Sequence, residues 1–329
     1  MYQSIGAILA ATTLQTNLVL AVLFSLVLEA PSVSRPREDS AEPPITAVVF
    51  SSDYSCVIAA SQMGLVIQDW PSLAHNRTKD LDMDSIHDLS LSPDGKQLLV
   101  AGGSPGDGGV VQLRSWPELK LVRSWTEHSD VVYKIAWRGD GLEWSSASWD
   151  GFCRICMTGA PKSHTTIKSH SGPVFAAAYL SDASIATAGG DRTIAVSSPS
   201  SGQPVRILRQ HTASVHSLVQ QPTSRDGSER LLASAGDDRT VRFWQPSIGR
   251  MVRFHRFTSM PRSIAWTHDG RWLMVGCDDG SVVQLDPLLL TTKVISQQEA
   301  GVSNVAVSAN NESLCISVGA KIIAIQLDR

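Results

Sequence analysis

The sequence of 329 residues predicts an all-β fold, a seven-bladed β-propeller of four-stranded blades. Three observations predict it. A polar turn recurs along the chain at nearly constant spacing, the segments between turns alternate as half-buried strands do, and no segment beyond residue 44 has a sustained helical period. A repeat of about 40–45 residues with several strands per unit is typical of a propeller, in which each blade covers the faces of its neighbours.

The recurrent turn is the clearest marker of the repeat. It follows the first strand of each unit, and its copies are Ser52-Asp53, Asp94-Gly95, Asp140-Gly141, Ser181-Asp182, Asp226-Gly227, Asp269-Gly270 and Asn310-Asn311. Counted between positions 53, 94, 140, 182, 226, 269 and 310, the steps are 41, 46, 42, 44, 43 and 41 residues. Aspartate, asparagine and glycine suit hairpin turns because they tolerate a positive φ. Seven turns therefore predict seven blades.

The strands follow from the residues around these turns. The predicted first strands of units two to seven are Ser85–Leu91, Val131–Trp137, Val174–Tyr179, Val215–Val219, Ser263–Trp266 and Val302–Val307. Each is followed by a second strand rich in small residues and a third that alternates, and the last third strand is Lys321–Leu327. A fourth strand for blade seven would have to come from the amino-terminal side. Either a short piece near Ser32–Arg35 supplies it or the blade keeps three strands, and a strand from Leu18–Leu28 is disfavoured because its connection to Ile45 would be long.

The second turns carry a finer pattern. Ser234–Trp244 reads Ser-Ala-Gly-Asp-Asp-Arg-Thr-Val-Arg-Phe-Trp and resembles the WD-repeat β-propeller family, over about residues 44–329 and most strongly in blades three to five. The resemblance implies a structural tetrad in each blade: a His before the first strand, a Ser or Thr in the second strand, an Asp in the second turn and a Trp in the third strand. The tetrad residues so implied are His128, Ser146, Asp150, His170, Thr187, Asp191, His211, Ser234, Asp238 and Trp244.

Only blade five has all four of these residues. Cys156 and Ser197 stand at the Trp position of blades three and four, and blade six keeps Asp279 but has no His and has Leu285 in place of the Trp. A buried His that hydrogen-bonds to an Asp and a Ser satisfies polar groups that would be costly to bury alone. These His and Asp side chains are therefore interpreted as structural and not as catalytic.

The resemblance implies a non-catalytic scaffold that holds a protein or peptide partner on the propeller face formed by the second turns. The predicted contact positions lie in or beside those turns and outside the tetrad; they are Trp149, Arg192, Asp237, Arg239 and Asp278. Trp149 is predicted either as an exposed anchor or as packing against the neighbouring blade. The alternative function is a small-ligand sensor or hydrolase-type propeller that uses the central channel. The residues that start the innermost strands are mostly Val, Ile, Ser and Ala, which argues against the alternative.

Composition and short motifs exclude several classes. With 28 basic and 31 acidic side chains the formal net charge is −3, so the chain lacks the basic excess that nucleic-acid binding needs. Gly102–Gly106 matches the GxSxG pattern, but it lies in a glycine-rich turn without the helix that a nucleophile elbow requires. Cys153 and Cys156 have CxxC spacing, yet positions i and i+3 of a strand point to opposite faces. The sequence therefore predicts no catalytic residue, no metal site and no cofactor.

The amino-terminal segment differs from the rest. Residues 1–30 are predicted to be a signal peptide or membrane anchor, residues 31–44 a proline-rich linker, and residues 45–329 the propeller. The apolar run Leu18–Leu28 has 11 residues, a length that suits a signal-peptide core better than a membrane span. No basic residue precedes it, whereas Arg35 and Arg37 follow, which weakens the export interpretation. A membrane tether through residues 5–28 stays an alternative, and export or anchoring is favoured over the cytoplasm.

Overall fold

The computed structural model describes residues 42–224 and 227–327. All regular elements in these ranges are strands. Those of blades one to four are β1 (Ala47–Phe50), β2 (Cys56–Ser61), β3 (Gly64–Asp69), β4 (Asn76–Lys79), β5 (Ile86–Leu91), β6 (Gln97–Ser104), β7 (Gly108–Ser115), β8 (Leu121–His128), β9 (Val132–Trp137), β10 (Glu143–Ser148), β11 (Cys153–Met157), β12 (Thr165–Ile167), β13 (Val174–Tyr179), β14 (Ile185–Gly189), β15 (Ile194–Ser197) and β16 (Pro204–Leu208). Those of blades five to seven are β17 (Val215–Gln220), β18 (Leu232–Gly236), β19 (Thr240–Gln245), β20 (Arg250–Arg256), β21 (Pro261–Trp266), β22 (Leu273–Cys277), β23 (Ser281–Leu285), β24 (Thr292–Gln297), β25 (Val302–Val307), β26 (Ser313–Val318) and β27 (Lys321–Gln326).

These strands form seven antiparallel sheets, each built from strands in sequence order. The first strands of successive blades contact one another from β1 through β5, β9, β13, β17 and β21 to β25, and β25 contacts β1. The predicted fold, an all-β seven-bladed propeller, is therefore confirmed. Six sheets have four strands, and the seventh has three among the described residues.

Burial follows the position of each strand within its blade. The second strands are buried along their whole length in blades one, three, four, five and six, because neighbouring blades cover both of their faces. Their small residues let the sheets approach closely, as in the Ala-Thr-Ala-Gly and Ala-Ser-Ala-Gly stretches of β14 and β18. The outermost strands are more exposed, except β12 of blade three, and all four residues of β4 are exposed.

The recurrent first turn has one geometry throughout. The residue after the Asp or Asn has a positive φ in every blade; these residues are Tyr54, Gly95, Gly141, Ala183, Gly227, Gly270 and Asn311. In units one and four the positive φ therefore falls on Tyr54 and Ala183, one residue beyond the predicted pair. The carboxylate of Asp53 explains this tolerance, because it accepts hydrogen bonds from the Ser51 hydroxyl at 2.7 Å and from the Ser55 N–H at 3.1 Å. These bonds lower the pKa of Asp53 to about 2.

The ring closes between blades one and seven. The Ile45 N–H donates to the Gly319 carbonyl oxygen at 2.8 Å. Below this bond, Phe50 and Val57 of blade one pack with Cys315 of blade seven in one apolar cluster. The pieces from which a fourth strand was predicted, Ser32–Arg35 and Leu18–Leu28, lie outside the described residues, as do residues 1–30 and most of the predicted linker. No helix in the described ranges is long and apolar enough to cross a membrane.

Candidate binding face at the channel mouth

Blade five contains a hydrogen-bonded network of four side chains. His211 Nδ1 lies 2.9 Å from Asp238 Oδ2, and His211 Nε2 lies 2.7 Å from Ser234 Oγ. The Trp244 Nε1–H donates to the same Ser234 oxygen at 2.9 Å. A carboxylate can only accept, so Nδ1 donates to Asp238 and Nε2 accepts from the serine hydroxyl. Burial alone would raise the pKa of Asp238, but hydrogen bonds from His211 and Thr240 hold that pKa below its ordinary value.

Blades three and four have the same His-centred contacts without the Trp. His128 lies 2.8 Å from both Asp150 and Ser146, and His170 lies 2.8 Å from Thr187 Oγ1 and 3.1 Å from Asp191. In blade three the Trp stands on the neighbouring strand: Cys156 occupies the position of Trp244 in blade five, and Trp144 of β10 is its cross-strand partner.

The Asp of each network also fixes a turn and a loop. Asp238 Oδ1 accepts from the Thr240 N–H at 3.1 Å, and its Oδ2 accepts from the Thr212 N–H at 3.0 Å. Asp150 accepts in the same way from the backbone of Phe152 and Ser129. The carboxylate therefore joins the second turn of a blade to the loop that enters its first strand.

The second turns border the mouth of the central channel. The N–H of Trp149 donates to the Val131 carbonyl oxygen, and that of Asp237 donates to the Ser214 carbonyl oxygen. In blades two to six the second turn is bonded in this way to the segment just before the innermost strand of the same blade. In blades two to seven the second residue of that strand faces a cavity of about 470 Å³, and Thr46, just before β1, completes the ring. These residues are Thr46, His87, Tyr133, Phe175, His216, Arg262 and Ser303.

Three aromatic rings form the apolar side of this mouth. Tyr133, Trp149 and Phe175 lie with ring centroids 5.6–5.8 Å apart, and His216 stacks on Phe175 at 4.7 Å. Trp149 packs against Phe175 of the neighbouring blade while 47% of its surface stays exposed. The packing predicted for Trp149 is therefore observed, and its role as an anchor stays a prediction that its exposure permits.

Charged side chains form the other side of the mouth. His216 Nε2 lies 2.8 Å from Asp237 Oδ2, and Arg262 bonds Asp237 at 3.3 Å and Asp278 at 3.2 Å. The structure thus brings Trp149, Asp237 and Asp278 to one surface, linked through Phe175, His216 and Arg262. Arg192 and Arg239 also lie in second turns and are exposed.

Two histidines and one carboxylate line the cavity, but they do not form a ligand set. Asp88 is buried, accepts from the Ile135 N–H at 2.9 Å and pairs with Lys134 at 3.0 Å, so it joins blades two and three. Burial lowers the pKa of His87. No group of three or more His, Cys, Asp or Glu side chains able to hold a metal is present in the described ranges.

The motifs weighed for chemistry lie in structural positions. Ser104 ends β6 and is followed by the strand β7, not by a helix. Cys153 and Cys156 are buried in different apolar clusters on opposite faces of β11, and burial raises the pKa of Cys153 to about 12. That thiol stays protonated at neutral pH, in keeping with a packing role.

Sequence reasoning missed the residues that face the cavity. It considered the residue that starts each innermost strand, whereas the following residue points to the channel. A comparison of the second residue of each innermost strand would have shown His, Tyr, Phe, His and Arg in five consecutive blades, at positions 87, 133, 175, 216 and 262.

Comparison with known proteins agrees with this architecture. The family model described as WD domain, G-beta repeat matches residues 119–156, 161–196, 202–245 and 251–286. Each match covers the outermost strand of one blade and the three inner strands of the next, so the four matches end in blades three to six. Blade six is matched although it has no His or Trp of the tetrad.

Similar proteins include one solved chain and one curated relative. A chain in the structure described as "Crystal Structure of Mitotic Checkpoint Complex" superposes with a TM-score of 0.76 at 20% identity, covering 87% of this chain and 90% of that chain. At this identity the likeness concerns the fold alone. The intraflagellar transport protein 122 homolog of Xenopus tropicalis is 33% identical over 84 residues, which is 26% of this chain and 6% of that relative. The match thus spans a small part of the relative's length.

Proposed function

Because the chain belongs to the WD-repeat β-propeller family, we propose that it is a protein-interaction scaffold whose partner binds over the channel mouth on the second-turn face. Propellers of this family are generally non-catalytic binding proteins, and the similar solved chain is part of a structure described as a complex. The proposed contact residues are Trp149, Asp237, Asp278, Arg192 and Arg239.

The half-exposed aromatic cluster carries this proposal. Trp149 is held between Tyr133 and Phe175, so little conformational entropy is lost when a partner covers it. Exposed aromatic side chains on a rigid surface are typical anchors of protein interfaces. The cavity beside it, about 470 Å³, is large enough for one or two side chains of a bound peptide.

The charged side of the mouth would orient the partner. The carboxylate oxygens of Asp237 and Asp278 already accept from Arg262 or His216, but each keeps a second lone pair that can accept a hydrogen bond from the partner. The rival function, a small-ligand sensor or hydrolase in the channel, needs free convergent acids or histidines. Lys134 already neutralises Asp88, and Asp237 already bonds His216, so these groups support peptide binding better than ligand chemistry.

The test is quantitative affinity capture from native extract with a Trp149→Ala variant of the full chain. We expect recovery of at least one partner to fall by about tenfold or more, the loss typical of an aromatic anchor. The control is Leu142→Ala, since Leu142 is similarly exposed but lies at the first turn of the same blade. Cross-linking of the captured partner should place it near Phe175 and Asp237. Unchanged recovery of every partner with Trp149→Ala would contradict the proposal.

A further inference from the structure

Five exposed cations lie in one sector of the second-turn face. They belong to blades three, four and five and are Lys168, Arg192, Arg209, Arg239 and Arg256, here named the basic arc. Up to 88 residues of chain separate them, and the fold brings them together.

Three members of the basic arc occupy the same place in successive blades. Arg256 ends β20 opposite Thr240, the first residue after the second turn of blade five. Arg209 directly follows Leu208, which pairs with Ile194 at the equivalent point of blade four. In blade three, Lys168 lies 5.6 Å above the ring of Phe152, next to the second turn. Each of these three blades therefore places one cation beside its second turn.

The other two members lie within the second turns themselves. Arg192 has a φ of 67° and Arg239 a φ of 61°, in the left-handed region. At the equivalent positions of blades three and six the chain has Gly151 and Gly280, which adopt such a φ without strain. Blades four and five thus carry a long cationic side chain where glycine would be easier to accommodate. The Phe257 N–H donates to the Arg239 carbonyl oxygen at 2.8 Å, which fixes this turn beside the end of β20.

The positive charge of the basic arc is not compensated locally. None of its five members forms an ion pair with another residue of the described part of the chain. The second-turn acids of these blades are already paired: Asp150, Asp191 and Asp238 point inward to their histidines, and Asp237 bonds His216 and Arg262. On a chain with a formal net charge of −3, five unpaired cations in one sector are a local exception.

The neighbouring residues limit what can bind there. In blade six the second turn carries Asp278 and Asp279, both exposed, and Gln297 stands where blade five has Arg256. A nucleic-acid backbone or an anionic membrane would bring phosphates against these two carboxylates, whereas a peptide can end or turn before them. The aromatic cluster around Trp149 lies beside the arc in blades three and four.

From this arrangement we infer that the basic arc binds an acidic peptide segment of the protein partner. The inference rests on the proposed scaffold function and adds the chemistry of the partner to it. Carboxylate side chains spaced along an extended peptide would pair with the cations of blades three to five, and guanidinium groups can bind them in a bidentate manner. Because the pairs are exposed to solvent, binding should weaken with rising salt.

The test uses the full chain and a fluorescent peptide of alternating Glu and Ser, followed by fluorescence anisotropy. The same peptide with Gln in place of Glu is the reference. The arc variant Lys168→Gln/Arg209→Gln/Arg256→Gln should weaken binding of the Glu peptide by about tenfold, since each exposed pair contributes only a few-fold. The matched control variant is Lys162→Gln/Arg230→Gln/Arg250→Gln, which removes three exposed cations at the opposite ends of strands in blades three and five. It should bind as the unaltered chain does.

Three outcomes would overturn the inference. The first is equal binding of the Glu and Gln peptides, and the second is an equal loss of binding in the arc and control variants. The third is tighter binding of a single-stranded RNA, or of phosphatidylserine vesicles, through the same cations. Arg192→Gly/Arg239→Gly gives a second test, because it removes two charges without straining the turns and should also weaken binding of the Glu peptide. If that peptide fails to bind while Trp149→Ala still abolishes partner capture, the acidic partner is excluded and the scaffold function stands.

Discussion

Blades five and six lie side by side with the same four-stranded topology, but different chemistry fills their interiors. Blade five buries the His211–Ser234–Trp244 network. At the equivalent positions blade six has Phe257, Val275 and Leu285, all buried in one apolar cluster. The backbone therefore does not depend on the polar network, because well-packed apolar side chains can replace a satisfied hydrogen-bonded group.

The second-turn Asp is common to both blades. Asp238 Oδ1 accepts from the N–H of Thr240, and Asp279 Oδ1 accepts from the N–H of Ser281, both at 3.1 Å. In blade six the Asp performs this task without a His. The hydrogen bonds of the turn are thus independent of the histidine network, and a blade can lack the network and keep the turn.

The largest expected effect comes from removing the Trp of the polar blade. Trp244→Ala should lower the free energy of unfolding by about 3–5 kcal/mol, since it opens a cavity at a fully buried site and removes a hydrogen bond to Ser234. Leu285→Ala at the equivalent site of blade six should cost about 2–4 kcal/mol. Urea unfolding of the two variants measures the difference. A smaller loss for Trp244→Ala than for Leu285→Ala would show that the network is dispensable even in blade five.

A smaller effect is expected at the left-handed residue of the second turn. Arg239→Gly should change the free energy of unfolding by less than about 1 kcal/mol, because relief of strain offsets the added freedom of the unfolded chain. Gly280→Ala in blade six should cost about 2 kcal/mol, since its Cβ would lie 2.9 Å from the Ala300 carbonyl oxygen and even closer to that of Gln298. Thermal unfolding of both variants decides this, and equal losses would refute the distinction.

Much of the fold could be predicted because the turn pattern is local and repeats. Each Asp-containing turn forms through hydrogen bonds between residues close in sequence, so its recurrence can be seen in the sequence. Even Tyr54 and Ala183 adopt the left-handed φ in these turns. The interior was harder to predict, since the buried Trp of blade three stands on β10, paired with Cys156, whereas that of blade five stands on β19, paired with Leu232. Such an exchange keeps one Trp in the paired positions while changing the motif.

The candidate site could be predicted only in part. Trp149, Asp237 and Asp278 lie in turns that the pattern marks directly. Phe175 and Arg262 were missed because their direction depends on which strand residue faces the channel, a property of the closed ring. The grouping of Arg209 with Arg239 likewise depends on strand pairing between distant parts of the chain.

The smallest expected effect is a change in the pH dependence of stability, because it concerns one titrating group. Burial, the largest cause, lowers the pKa of His211 below its ordinary value of 6.5 despite the bond to Asp238. The unfolded chain then binds this proton more readily, so stability should fall as the pH drops below about 6.5. His211→Phe, which copies Phe257 of blade six, should flatten the dependence between about pH 7 and pH 5 in thermal unfolding, whereas Leu285→Ala, which keeps the histidine, should retain it. An unchanged slope in His211→Phe would mean that His211 does not contribute to the acid sensitivity of blade five.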